Sequence, residues 1–154
     1  MPSFVADAML GKLARWLRYL GYDTVYLRED DATIAYTARA EDRVLLTRDR
    51  GLAQHRGLRT ILVASQSLDD QLRQVVDQVG LPPEETRPRC MDCNAPLVSI
   101  PRATAKAQVP PYVARTHEVF DQCPECGKIY WRGTHRQGIE ELIDRALAHR
   151  DAKP

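Results

Sequence analysis

Over the first 80 residues, apolar side chains follow two alternating rhythms. Phe4-Val5-Ala6 is a short continuous apolar run and reads as a buried strand. Residues 8–20 then place Met9, Leu13, Trp16, Leu17 and Leu20 at the i, i+4, i+7, i+8 spacing of an amphipathic helix, closed by Gly21. Thr24-Val25-Tyr26-Leu27 returns to β-type residues, and Asp30-Asp31 offers an N-cap for a helix through about Ala40. Val44-Leu45-Leu46-Thr47 is a third strand, followed by a short helix around Arg50–His55. Thr60-Ile61-Leu62-Val63 is a fourth strand. Residues 67–79 resume the helical period at Leu68, Leu72, Val75, Val76 and Val79. Strands alternating with helices over short connections predict an α/β fold with a parallel sheet covered on both faces.

The pattern changes near Leu81-Pro82-Pro83-Glu84-Glu85, where prolines stop the preceding helix. The division predicted is a unit over residues 1–82 and a second over 86–150. The second holds short β-like pieces and a terminal helix over Ile139–Ala148. With 154 residues, 44% of them hydrophobic and 28% charged, the chain has enough apolar material for a core and does not read as disordered. It has no run of 18 apolar residues, so no membrane partner is expected. The short apolar start, interrupted by Asp7, lacks the basic and hydrophobic regions of a signal peptide, and the expected location is cytoplasmic. Net charge is +1, but residues 1–85 carry 11 Lys/Arg against 13 Asp/Glu, and residues 86–154 carry 11 against 8. The mild asymmetry permits a polyanion to be held by the second half.

The acids fall where strands end. Asp7 follows the first strand, Glu29-Asp30-Asp31 the second and Asp49 the third. In a parallel sheet all C-terminal strand ends lie on one edge, so these carboxylates share a rim although they lie up to 42 positions apart. Clustered carboxylates repel unless a cation neutralises them, and hard oxygen ligands select Mg²⁺ or Mn²⁺. Phosphodiester hydrolysis suits such a rim. Cations flank it: Lys12 and Arg15, three apart on the first helix, and Arg48 and Arg50 around Asp49. Asp31 and Asp49 also suit plain N-cap or turn roles, whereas Asp7 interrupts an apolar stretch where burial is costly. Trp16 and Leu17 read as core, and Arg18 as solvated surface.

Cys90, Cys93, Cys123 and Cys126 form two CxxC pairs separated by 29 residues. Two such knuckles close a tetrahedral thiolate site for structural zinc, with no open position for water. Disulfides do not suit the expected compartment, and a redox pair needs only one CxxC. A segment of this size has little core, so the metal is expected to supply its folding energy. After the second knuckle, Lys128-Ile129-Tyr130-Trp131-Arg132 interleaves basic and aromatic types. Tyr130 or Trp131 can stack on a base while Lys128, Arg132 and Arg136 meet phosphates, or one aromatic packs the ribbon core. His135 is read as a hydrogen-bonding or substrate contact. Pro101 to Arg115, with Arg102 and Lys106, is either a mobile RNA-contacting loop or a long hairpin connection.

Residues 4–23 (Phe-Val-Ala-Asp-Ala-Met-Leu-Gly-Lys-Leu-Ala-Arg-Trp-Leu-Arg-Tyr-Leu-Gly-Tyr-Asp), 44–50 (Val-Leu-Leu-Thr-Arg-Asp-Arg) and 126–135 (Cys-Gly-Lys-Ile-Tyr-Trp-Arg-Gly-Thr-His) together resemble the mut-seven C-terminal RNase family. The resemblance implies a PIN-like nuclease fold joined to a zinc ribbon and a Mg²⁺- or Mn²⁺-dependent ribonuclease. The family's acids would map to Asp7, to Glu29–Asp31 with Asp31 leading, and to Asp49. PIN domains usually present four acids; here a fourth is not evident, and Asp69 and Asp70 fall at a helix start. A single-metal site, or one completed by a partner, is therefore open. The leading expectation is an endoribonuclease with Asp7, Asp30, Asp31 and Asp49 in its centre, RNA as partner, and Lys12, Arg15, Arg48, Lys128, Trp131, Arg132 and His135 contacting it. The alternative is a non-catalytic adaptor that binds RNA or the ribosome. A protein inhibitor and the oligomeric state, including a ribbon acting as a dimer clamp, are left open.

Overall fold

Short apolar strands are stable only when both faces are covered, and β1 (Phe4–Ala6) and β3 (Val44–Thr47) have every residue buried. With β2 (Thr24–Tyr26) and β4 (Thr60–Leu62) they form a parallel sheet in the order β2-β1-β3-β4. The register aligns Ala6 with Tyr26 on one side and with Leu46 on the other. The computed structural model describes residues 1–131 together with Glu141, Asp144 and Arg145.

Strand alternation sorts the core into two layers. Phe4, Ala6, Val44, Leu46 and Ile61 face one way and pack with Leu13, Leu17, Leu72 and Val75 of helices α1 (Gly11–Leu20) and α4 (Leu68–Val79). Val5 and Leu45 face the other way, against Ile34 and Ala38 of α2 (Asp31–Ala40) and Leu52 of α3 (Arg50–Ala53). The chain leaves β1 through α1 toward β2 and returns over β1 through α2 to β3. It then continues outward to β4. The direction of winding thus reverses between β1 and β3, and the crevice beyond their C-terminal ends is a topological switch point.

The helix expected from residue 8 begins with a separate 3-10 turn, Ala8–Leu10. Asp7 caps this turn, and Leu10, at φ −113° and ψ 33°, breaks the helical path before α1. α3 stops at Ala53, short of the expected His55.

The second sheet is antiparallel, in the order β5 (Val98–Ile100), β6 (Phe120–Gln122), β7 (Ile129–Trp131). The stretch from Pro101 to Arg115 is not a mobile loop. It connects β5 to β6 and folds into two short helices, α5 (Arg102–Ala105) and α6 (Pro111–Thr116). Ala105 and Val113 are buried against Phe120, which anchors both helices to the sheet. Arg102 secures the pair by donating from Nε to the Ala114 carbonyl at 2.8 Å. Of the expected terminal helix over Ile139–Ala148, only Glu141, Asp144 and Arg145 are described, and all three are helical.

The two sheets are joined through α1. Trp16 and Leu20 pack against both the first core and a second cluster of Cys90, Met91, Leu97, Cys123 and Tyr130. Arg18 is a correction to the sequence reading, because it is not solvated surface. Its guanidinium donates to the carbonyls of Thr24 and Met91, each at 2.8 Å, and its own carbonyl accepts the Arg89 N–H at 2.9 Å. An arginine has five donors, and here they tie β2 and the first knuckle to one helix end. Gly21 is required at that end. Its φ is 108°, and a Cβ there would collide with Thr86 and lie 3.0 Å from the Arg87 carbonyl oxygen.

Candidate functional site

Asp7 is a carboxylate only 6% exposed at the end of β1. A buried charge needs donors. The Met9 N–H supplies one to Oδ1 at 3.1 Å, and the hydroxyl of fully buried Thr47 supplies another to Oδ2. The same Thr47 oxygen accepts the N–H of Asp49 at 3.0 Å. One hydroxyl thus couples the ends of β1 and β3 across the switch point, between the first and third acids. Asp49 directs Oδ1 at the N–H groups of Gly51 (2.8 Å) and Leu52 (3.3 Å), which caps α3 and leaves Oδ2 outside those bonds.

On the other side of β1, Asp30 caps α2, accepting the Thr33 N–H at 2.8 Å; the Thr33 hydroxyl first, and then this N–H, hold its carboxyl below the usual range. Asp31 is the first residue of α2 and exposed, so the capping task falls to its neighbour. Asp7, Asp31 and Asp49 therefore follow adjacent strands on one sheet edge, although they do not form a set of three donors within 4.8 Å of one another among the described residues.

The cations predicted around the rim divide. Lys12 is exposed on α1, with no described acid as partner. Arg48 is half-buried beside Thr47, and its Nε has no hydrogen-bond partner. Arg15 pairs with Asp92 of the first knuckle, and Lys128 lies 3.5 Å from the same carboxylate and 5.3 Å over the Tyr130 ring. Arg15 and Lys128 thus brace the ribbon against α1, and Arg15 above all holds the Asp92 carboxyl below its ordinary range. Trp131 is half-buried and packs against the cluster of Ala105, Val113 and Phe120. Arg132, His135 and Arg136 lie outside the described residues.

The four cysteines converge. Their sulfurs lie within 4.8 Å of one another, and the Cys90 and Cys126 sulfurs are 3.7 Å apart. Four thiolates about 2.3 Å from one zinc ion would stand about 3.8 Å from each other, so the set fits zinc. Each knuckle ends in a left-handed residue, Asn94 (φ 66°) and Gly127 (φ 79°). Their N–H groups return to the Cys90 and Cys123 carbonyls at 2.9 and 3.0 Å. Burial disfavours the Cys90 thiolate, but hydrogen bonds from Tyr130 Oη and from the N–H groups of Cys93 and Asp92 overcome this and bring it down to about 7. Cys93 moves the opposite way, to about 12, through its contact with Cys126, desolvation, and the nearby Cys123 and Cys90. Without a cation, such a cluster tolerates few negative charges; a divalent ion removes that limit.

Sequence reasoning missed the roles of Thr47 and Asn94, and left Tyr130 open between stacking on a base and packing the ribbon core. Thr47 carried no signal beyond ending a strand. Asn94, directly after the first knuckle, carries no signal for its contacts, yet its side chain accepts the Thr24 N–H at 3.0 Å and donates to Asp23 Oδ1 at 2.7 Å. Tyr130 is the aromatic that packs the ribbon, donating to Cys90 Sγ at 3.4 Å and accepting the Met91 N–H at 3.0 Å.

The fold and its two centres define a class: a parallel α/β sheet with carboxylates at its switch point, followed by a four-cysteine unit able to hold zinc. The model of the Mut7-C RNAse domain matches residues 2–143, nearly the whole chain, and the protein belongs to that family. Membership gives it a nuclease-like, RNA-related role. Comparison with curated proteins and with solved structures returned no match. No helix among the described residues is long and apolar enough to cross a membrane.

Proposed function

We propose that the protein is a divalent-metal-dependent endoribonuclease that hydrolyses RNA phosphodiesters at the rim of the parallel sheet. The catalytic unit is residues 1–82, and residues 86–150 form a ribbon with structural zinc on the four cysteines that aids RNA binding. The observation that carries this reading is the Thr47 hydroxyl between Asp7 and Asp49 at the switch point.

Asp7, Asp31 and Asp49 would hold Mg²⁺ or Mn²⁺. The chemistry such an ion supplies is a water acidified to a nucleophile and a neutralised phosphate. The chain's own residues prepare the rest. Thr47 and the Met9 N–H hold the Asp7 carboxyl group oriented in a buried setting. Asp30 holds the start of α2 so that Asp31 is presented from its first turn. Lys12, exposed on α1, and half-buried Arg48 offer charge to a phosphate near the rim. Trp131, Arg132 and His135 belong to the ribbon's contribution.

Asp7→Asn tests the assignment on a labelled RNA with Mn²⁺. Loss of cleavage with a thermal melt near wild type is expected. Full cleavage by the purified variant overturns the reading. The open spacing of the three carboxylates favours a second reading, an adaptor that binds RNA or the ribosome without cutting. Binding with no metal-dependent products assigns the protein to that class.

A further inference from the structure

Between α5 and α6 lies a cleft of about 550 Å³ lined by Arg102, Ala103, Lys106, Pro111, Ala114 and Arg115. Its walls are apolar and its charged groups are all basic. The absence of acids extends well beyond the cleft: residues 93–117 contain no Asp or Glu, in a chain that has 21 of them. Arg102 is held by the carbonyls of Ala114 and Arg115 and so forms a wall of the cleft. Lys106 and Arg115 are exposed, and neither pairs with a described acid. Second in α6, Tyr112 is 62% exposed, the largest aromatic surface on this unit's described residues. Trp131, by contrast, is packed beneath the two helices.

Cations with no acidic partner among the described residues, on an apolar cleft beside an exposed aromatic ring, are the features that hold a single-stranded nucleic acid: charge for the backbone, and a π face for a base that has left its stack. An inorganic anion would use the charge but neither the apolar walls nor the ring. An acidic peptide would use the charge and leave Tyr112 idle.

We propose that this cleft is a docking site for single-stranded RNA, with Lys106 and Arg115 on consecutive phosphates and Tyr112 stacked on a base. The proposal rests on the RNA-directed reading above and gives that substrate a second point of attachment, separate from the acidic rim.

The test uses the full-length, zinc-loaded protein and a fluorescein-labelled 12-nucleotide oligouridylate, with binding followed by anisotropy without added Mg²⁺ or Mn²⁺. Lys106→Ala combined with Arg115→Ala should weaken binding about tenfold or more and reduce the slope of log K against log salt by about 1.4, two contacts at ~0.7 each. Tyr112→Ala should weaken binding about five- to hundredfold and leave the salt slope unchanged. All three side chains are exposed, so melts and zinc content should match wild type. Wild-type affinity and slope in both variants overturn the proposal, as does a wild-type protein that does not bind the probe. Competition by polyglutamate as effective as by unlabelled oligouridylate also overturns it and assigns the cleft to an acidic polypeptide. Adding Mn²⁺ reads the rim separately: binding that depends on the cleft, with no cleavage by wild type, removes the nuclease reading and leaves this site standing.

Discussion

Replacing Thr47 with valine keeps the shape of a buried side chain and removes only the oxygen that joins the two acids. Thr47 is fully buried, so solvent cannot substitute for what is lost. The bond to the Asp7 carboxylate is charge-assisted, and such bonds contribute about 1.5–3 kcal/mol. The Asp49 N–H loses its acceptor, which adds about 0.5–1.5 kcal/mol. The expected cost of Thr47→Val is therefore ~2–4 kcal/mol. At about 2–4 °C per kcal/mol for a chain of this size, the melting temperature should fall by ~5–15 °C. Thr47→Ser is the control: it keeps the hydroxyl, loses one buried methyl worth about 1 kcal/mol, and should fall by only ~2–4 °C. Far-UV circular dichroism melts of the three proteins under one buffer decide the matter. If valine is no more damaging than serine, the bridge between the acids contributes nothing to stability.

Two further outcomes follow from other parts of the structure. Burial raises the pKa of Asp23, but hydrogen bonds from Arg43 and Asn94 outweigh it and leave the carboxyl below its ordinary 3.8. A depressed folded value means stability that is fully present above the unfolded pKa and lost as pH falls through the folded one. Asp23→Asn should thus be less stable than wild type at pH 7, with the gap closing below about pH 4; a gap constant from pH 7 to 2 would refute it. Chelation with a strong zinc ligand should release one metal per chain, measured with a chromogenic indicator. It should also expose Trp16 and Tyr19, read as a fluorescence change, and an unchanged spectrum after metal release would show that the ribbon holds together without its ion.

The first unit was legible because its strands are continuous apolar runs bounded by capping residues. Observed strand ends fall within one residue of expectation, as Val44–Thr47 does without any difference. Its helices are long enough for a period to show. Helices α5 and α6 escaped because four and six residues make no more than two turns, and each begins after a proline that reads as a break. The spatial roles of Arg18 and Asn94 were illegible for another reason. Their partners lie 73 residues ahead and 70 residues behind in the chain, and neither periodicity nor motif carries such a pairing. The acids were found because a parallel sheet converts strand order into position. The choice between Asp30 and Asp31 as cap depends on backbone angles that two adjacent aspartates do not declare.

Helix α1 has an inner side twice over, since Trp16 and Leu20 belong to both clusters. Descendants of this chain could not shed or exchange the cysteine-bearing appendage and keep the sheet unchanged, because an apolar stripe would be stranded in water. Selection on residues 11–20 answers to two architectures at once, and a mutation tolerated by one is still vetted by the other.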